Sequence, residues 1–458
     1  MKITRHFVDV GSRRVHYRRS GQGPVLLMVH QSPRSSAEYA PLMAEWSDRF
    51  TCIAPDSPGF GHSDPLPDPA APIEAFADAL VDLLDALGIE QVAAYGFHSG
   101  GIILVNALSR HPARFAALAI GGYAIWTDAE RAAFSESYLP AFQPRAYGEH
   151  LTWLWNRILE QTWFFPWYQV DPGARMTVAH DDPVRVDAVV RDMLDAGDAY
   201  RAGYGAVLRA SRDIPAAGTP TAPVLITAYD GDVLQEHIDR LGDLPPEWSA
   251  RKVASPIAHQ QASVEHLALR AMPGPDQLGE ADDEGFVHVV TTGFDGLIHW
   301  RGTRGAAMHV HGPGRALDLL DGAALAIDLP GHGLSDPWPG AAPSDVGAWQ
   351  TVITACAQAL GASRTTYEAL PIGEPAKLFP SLEPDRFGAY LTRAWAIVRA
   401  AHLFAPWYDA NSASQIDFDP ATLRPERLGA EHLALIRSTA AREWLIARRQ
   451  MEVDDGNS

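Results

Sequence analysis

The sequence predicts an α/β protein: a mostly parallel sheet flanked by helices, roofed by a helical cap, and followed by a degenerate partial repeat of the same fold. Three observations carry this. Short apolar runs alternate with helix-patterned segments over the first 120 or so residues. A helical stretch dense in aromatics then interrupts the alternation. Beyond residue 285 the early motifs return in order.

The elements follow one another along the chain. Residues 15–18 read as a strand. Residues 25–29 (VLLMV) and 50–54 are short apolar runs suited to buried strands. Residues 72–87 space their apolar side chains as a helix does, with Gly88 as its C-cap. Residues 91–95 form a strand that runs into Gly96-Phe97-His98-Ser99-Gly100-Gly101, and an apolar helix over 102–108 follows. Later strands are predicted at 115–120, at 223–228 (PVLITA) and, last, at 250–255. The core therefore comprises residues 1–126 and 215–280. Residues 127–214 form the cap, whose aromatics include Trp153, Trp155, Trp163 and Trp167.

Composition narrows the function. The chain has 458 residues, 47% of them hydrophobic, enough for one large or two medium domains. Acidic residues number 56 against 37 basic ones, for a net charge of −19. Such a surface repels nucleic acid and anionic membranes. The two cysteines, Cys52 and Cys356, suggest neither a disulfide framework nor a zinc motif. The charged N-terminus lacks the apolar core of a signal peptide, and no apolar run is long enough to span a bilayer. A cytoplasmic protein is expected, with no cofactor and no metal.

The second part, residues 286–458, reads as a degenerate copy of the first. His299-Trp300-Arg301 echoes His16-Tyr17-Arg18, and Val310-His311 echoes Val29-His30. Asp328-Leu329-Pro330-Gly331-His332-Gly333 echoes Asp56-Ser57-Pro58-Gly59-Phe60-Gly61, and Phe404-Ala405-Pro406-Trp407-Tyr408 echoes Phe164-Phe165-Pro166-Trp167-Tyr168. The copy has lost a piece. Phe387-Gly388-Ala389-Tyr390-Leu391-Thr392 echoes Tyr147-Gly148-Glu149-His150-Leu151-Thr152, and while Asp56 and Tyr147 lie 91 positions apart, Asp328 and Phe387 lie only 59 apart. The missing length is where the first copy carries residues 96–108. A support, lid or dimerisation role is expected for it, and pairing within one chain or as a homodimer are both open.

The chemistry centres on residues 96–100. Gly-x-nucleophile-x-Gly between a strand and a helix is a nucleophile elbow. Its glycines are needed because the turn is strained and its backbone passes close to neighbours. Here the middle residue is His98. The backbone N–H of Ser99 is expected at an oxyanion hole, with Gln31 N–H, from the loop after the third strand, as the second donor. The acid is expected after the late strand PVLITA, where Asp232 fits better than Asp230. The partner histidine is expected after the final strand at His259, with His266 as runner-up.

These motifs resemble the α/β-hydrolase superfamily. More narrowly, Gly96-Phe97-His98-Ser99-Gly100 and His30-Gln31-Ser32-Pro33-Arg34-Ser35 are similar to bacterial members with a histidine elbow and a His-Gln-Thr-Pro-Arg-Ser loop. The resemblance covers about the first 270 residues. It implies a sheet with the elbow at its centre and a substrate pocket under the cap.

A histidine elbow can attack a carbonyl, though its acyl product is labile, or act as a general base on water. His259, oriented by Asp232, would then be a second base or the acid for the leaving group. Two imidazoles at close range discourage each other's protonation. A metal held by His98, His259 and Asp232 is disfavoured, because Asp232 should stand behind His259. Substrate-binding candidates are His30 and Arg34 on the loop, Trp126 before the cap, and His150, Trp153 and Trp167 within it. The expected activity is hydrolysis of an ester, lactone, thioester or activated C–C bond in an apolar small molecule. The alternatives are a cofactor-free oxygenase or lyase, and a non-catalytic ligand-binding protein.

Overall fold

The computed structural model describes residues 2–211, 213–275 and 277–456. The chain divides into two compact units: Met1–Phe142 with Asn156–Ala281, and Gln143–Trp155 with Asp282–Ser458.

The first unit opens with a hairpin, β1 (Thr4–Val10) and β2 (Arg13–Ser20), of which the sequence pattern revealed only the second arm. There follow β3 (Val25–Val29), α1 (Ala40–Trp46), β4 (Thr51–Pro55), α2 (Ile73–Ala86), β5 (Val92–Phe97), α3 (Ser99–Arg110) and β6 (Phe115–Gly121). Between β6 and β7 the chain forms α4 (Asp128–Ser137), α5 (Glu149–Glu160), whose residues up to Trp155 belong to the second unit, α6 (Pro183–Ala196) and α7 (Tyr200–Arg209). The chain then returns through β7 (Val224–Tyr229), β8 (Trp248–Val253) and α8 (Pro256–Ala268). The sheet order is β1-β2-β4-β3-β5-β6-β7-β8, and β3 through β8 run parallel. Every residue of β3 and β4 is buried. Helices on both faces of a parallel sheet require such unbroken apolar runs.

The end of the unit departs from the sequence reading. Ser255 and Pro256 start a helix directly after the last strand: the Ser255 side chain accepts the Ala258 N–H, and Pro256 takes the first helical position. His259 therefore rides on the first turn of α8, which packs against β6 and β7.

The second unit contains β9 (Glu284–Thr291), β10 (Phe294–Gly302), β11 (Met308–Val310), β12 (Leu325–Ile327), α9 (Val346–Leu360) and β13 (Thr365–Tyr367). After these come α10 (Pro375–Leu378), α11 (Ala389–Ala401), α12 (Pro425–Ile436) and α13 (Ala441–Gly456). Its sheet, β9-β10-β12-β11-β13, has the order and strand directions of β1-β2-β4-β3-β5. The register agrees too: Phe286 faces His299 as Phe7 faces His16.

The internal hydrogen bonds of the two units correspond. His299 Nδ1 donates to Asp328 at 2.8 Å, as His16 Nδ1 does to Asp56 at 2.8 Å. Leu329 N–H donates to His311 Nε2, as Ser57 N–H does to His30 Nε2. Trp407 Nε1 donates to Leu378 O, as Trp167 Nε1 does to Tyr138 O. Gly333, at φ +50°, leaves room for the Asp328 carboxyl, from which a Cβ would stand 2.2 Å away; Gly61, at φ +52°, does the same for Asp56. Past β13, however, the chain enters α10 with no counterpart of the β5–α3 turn.

Candidate active site

The Gly96–Gly100 turn joins β5 to α3. His98 lies between β5 and α3 with φ 47° and ψ −111°, and is the one non-glycine residue at positive φ among those described. Such a conformation costs on the order of 1–3 kcal/mol and persists only where its surroundings enforce it. Two features enforce it here. The His98 N–H donates to Gly121 O at 2.7 Å. Gly100 packs so tightly that a Cβ would fall 2.0 Å from Val29 O.

The imidazole of His98 meets an acid directly. Its Nε2 lies 2.9 Å from Asp232 Oδ1, and that oxygen also accepts the Leu234 N–H at 2.9 Å. Burial alone would raise the Asp232 pKa. The charge and hydrogen bond of His98, with the Leu234 N–H, outweigh burial and hold the carboxyl below its usual value. The ionised carboxylate accepts a hydrogen bond from Nε2–H, which leaves the ring's lone pair on Nδ1. Phe97 stacks on the ring at 4.1 Å. Gly122 makes room beside the pair, since a Cβ there would stand 2.7 Å from His98 Cδ2 and 2.9 Å from Asp232 Oδ2. Asp232 Oδ2 is buried and has no hydrogen-bond partner among the described residues.

His259 does not join this pair. Asp232 holds His98 in its place. Nδ1 of His259 bonds Thr227 Oγ1 at 2.5 Å and Nε2 bonds Tyr95 OH at 2.8 Å. The residue is only 2% exposed, and burial lowers its pKa to about 4, so it is neutral at pH 7. The physical reason is the early start of α8, which carries His259 into the packing beside β6 and β7. His266, also on α8, bonds Pro223 O at 3.4 Å.

The loop after β3 also differs from expectation. Gln31 N–H donates to Glu38 Oε1 at 2.7 Å, and the Gln31 side-chain amide to Oε2 at 3.0 Å. Ser32 N–H donates to Ser99 Oγ at 2.5 Å. Both loop amides thus point at side chains of the protein itself. The sequence reading missed Glu38, whose only signal is a carboxylate one turn into the segment that follows the loop. The Ser99 N–H opens α3, where first-turn amides have no partner within the helix.

Above this floor lies a cavity of about 450 Å³ within the first unit. His98, Asp232, Ser99, Gln31 and Ser32 line its base. Its walls are mostly aromatic and aliphatic, with Phe134, Tyr138, Phe165, Tyr204 and Leu208 prominent. Gln161, Thr162 and His180 are polar positions on the wall. Phe134 and Tyr138 are spaced four apart on and just after α4, a pattern the sequence offered but the reading passed over.

Of the substrate-binding candidates, Trp126 lines the cavity, and its buried Nε1 has no partner among the described residues. The other five are not among the lining residues. Both nitrogens of His30 are engaged, Nδ1 with Gln31 O and Nε2 with Ser57 N–H. Arg34 Nε is bound to Asp192 on α6 at 2.7 Å. His150 and Trp153 fall in the second unit, where His150 Nδ1 accepts the Arg145 N–H. Trp167 packs in the cluster around Phe134 and Tyr138, with Arg157 over its ring at 5.1 Å.

Among the described residues no group of three His, Cys, Asp or Glu side chains is arranged to hold a metal ion. No helix among them is long and apolar enough to cross a membrane.

Part of the chain is similar to known proteins. Residues 24–165 match the family model of the alpha/beta hydrolase fold. A cis-3-alkyl-4-alkyloxetan-2-one decarboxylase of Shewanella oneidensis is 34% identical over 124 residues, 26% of this chain and 39% of that protein. Haloalkane dehalogenase 2 of Mycobacterium bovis is 30% identical over 118 residues, 26% of this chain and 41% of that protein. Among solved structures, epoxide hydrolase A from Mycobacterium thermoresistibile superposes with a TM-score of 0.46 at 19% identity, over 59% of this chain and 100% of that one. The chain spans about two fifths of the length of these curated relatives. From its strand order, its elbow and the family match, the first unit carries the α/β-hydrolase fold.

Proposed function

We propose that the first unit is a hydrolase acting on an ester, lactone, thioester or activated C–C bond of an apolar small molecule, with His98 as its base and Asp232 behind it. The observation that carries this is the 2.9 Å His98–Asp232 pair at the base of a largely apolar cavity. Fold alone would not carry it. The relatives named above act on small organic molecules on the same fold, which supports an enzymatic reading.

The steps follow from the pair. A water bound at His98 Nδ1 loses a proton to the imidazole as its oxygen attacks the electrophilic carbon. Asp232 stabilises the imidazolium that forms. Charge developing on the substrate oxygen is met by the Ser99 N–H at the start of α3. As the bond to the leaving group breaks, His98 returns the proton to it. General-base help of this kind contributes roughly 10²–10⁴-fold. In this scheme His259 is a packing residue.

The test is a panel of p-nitrophenyl esters, lactones, thioesters and vinylogous β-diketones offered to the parent and to His98→Ala. Turnover in the parent and a loss of about 10² or more in the variant are expected. An active parent matched by an equally active variant would refute the assignment.

One observation favours a second reading. Glu38 and Ser99 occupy the amides of Gln31 and Ser32, so the base is built while the loop half of the oxyanion hole is closed. That arrangement suits proton abstraction from an acidic substrate by a cofactor-free oxygenase or lyase. Oxygen uptake, or a product retaining every carbon of the substrate, distinguishes it.

We read the second unit as a partial copy of the first, lacking elbow and acid, and assign it no chemistry of its own. The matching strand order and the matching His–Asp bonds support this.

A further inference from the structure

We infer that residues 143–155 and 383–395 form an isologous interface closed within one chain, two matching segments paired about a local two-fold. The inference rests on reading the second unit as a partial copy. All residues of this contact belong to the second unit.

The contact is reciprocal. Trp155 Nε1 donates to Arg386 O at 3.1 Å, and Trp395 Nε1 donates to Ala146 O at 3.2 Å. Trp395 stands at the position of Trp155 in the other copy, and Arg386 at that of Ala146, in the same register that aligns Phe404 with Phe164 and Trp407 with Trp167. Each tryptophan thus reaches the partner of the residue that reaches its own loop.

The glycines repeat the pattern. A Cβ on Gly388 would stand 2.4 Å from the Trp155 ring, and one on Gly148 would stand 3.0 Å from the Trp395 ring. So do the side chains one turn on. His150 meets Trp395 edge-on at 4.9 Å, and its counterpart Tyr390 meets Trp155 at 5.9 Å. Residue i touching j while j's equivalent touches i's equivalent is the signature of a two-fold interface. Segments that merely happened to pack would have no reason to match contact for contact.

The interface also has the composition of an anchor. Trp155 and Trp395 are 1% and 2% exposed, and both indole N–H groups are satisfied, as buried anchors require. Its bearing on the candidate active site runs through covalent continuity. Helix α5 continues from Trp155 to Glu160, and the next two residues, Gln161 and Thr162, line the cavity.

The test uses the full chain with Trp155→Phe and Trp395→Phe, each of which keeps an aromatic ring but removes the indole N–H. Hydrogen exchange is followed in residues 149–155 and 389–395, and molar mass is measured by light scattering. A monomeric parent is expected. Each variant should speed exchange in both segments, by comparable factors of about three or more, and stay monomeric. Gly388→Ala, which drives a Cβ into Trp155, should speed both further. Amides of β9–β13, expected unchanged, report separately on the fold of the copy. A dimer that dissociates in either Trp variant would overturn the inference, because the face would then join two chains. Faster exchange confined to the mutated residue's own segment, or none with Gly388→Ala, would overturn it as well.

Discussion

Removing the carboxylate of Glu284 should weaken the second unit in a strongly pH-dependent way. His299 is 1% exposed, and burial disfavours its charge. Hydrogen bonds to Asp328 at 2.8 Å and Glu284 at 3.1 Å, with the charges of both acids, more than offset burial and raise its pKa to about 9. In the first unit the equivalent His16 bonds Asp56, but Arg5 holds the register position of Glu284. There burial, aided by Arg18 and Arg5, outweighs Asp56 and lowers the pKa. A folded pKa above the ordinary 6.5 gives stability that is complete below pH 6.5 and is lost as pH rises to about 9. The shift corresponds to roughly 3 kcal/mol at 1.36 kcal/mol per unit. Glu284→Gln removes one of two carboxylates, so it should cost about 1–2 kcal/mol near pH 6 and little above pH 9.5. Native-state hydrogen exchange of the β10 and β12 amides in both proteins across that range measures the difference. A cost that does not change with pH would refute the reasoning, as would a parent whose protection is flat from pH 6 to 9.

Other perturbations probe the first unit. Gly100→Ala places a Cβ 2.0 Å from Val29 O, and neither backbone can yield, so thermal unfolding should show a loss above about 3 kcal/mol or no folded protein. Thr227→Val strips His259 Nδ1 of its partner and should cost about 1–3 kcal/mol in urea denaturation while leaving turnover by His98 within threefold. Trp126→Phe removes an unpartnered N–H from the cavity wall. It should leave stability within about 0.5 kcal/mol and weaken binding of ligands bearing a carbonyl or carboxylate more than that of hydrocarbons of equal size, by calorimetry.

What could be read in advance divides along physical lines. The buried strands were legible because they rest on a local pattern of unbroken apolar runs, and the Gly-x-x-x-Gly turn and the recurring motifs could be picked out for the same reason, each being a local pattern. Asp232 was legible as an acid at a strand end. The partners were not, because hydrogen bonds between side chains far apart in sequence leave no periodic trace. Thr227 and Tyr95 are ordinary strand residues until His259 is packed between them. Gln31 is an ordinary loop amide until Glu38 turns back onto it. The one local cue overlooked was Ser255-Pro256, an N-cap followed by proline, which starts α8 and removes His259 from the candidate site.

That displacement bears on how the His98 elbow should be understood. In a serine elbow the acid orients a histidine, and the histidine activates the nucleophile. Here Asp232 holds the elbow imidazole itself, so on the proposed reading the three-member relay contracts to two, with the base where the nucleophile would stand. The contraction is consistent throughout: Gly122 leaves space for the paired rings and carboxyl, and Tyr95 with Thr227 occupies both nitrogens of the histidine left over. A site decaying at random would keep the strain at His98 without keeping its partner. The second unit shows the other outcome, with the β5–α3 turn absent altogether. A strained turn together with a buried carboxylate that fits its residue is the arrangement the proposed chemistry at His98 Nδ1 requires.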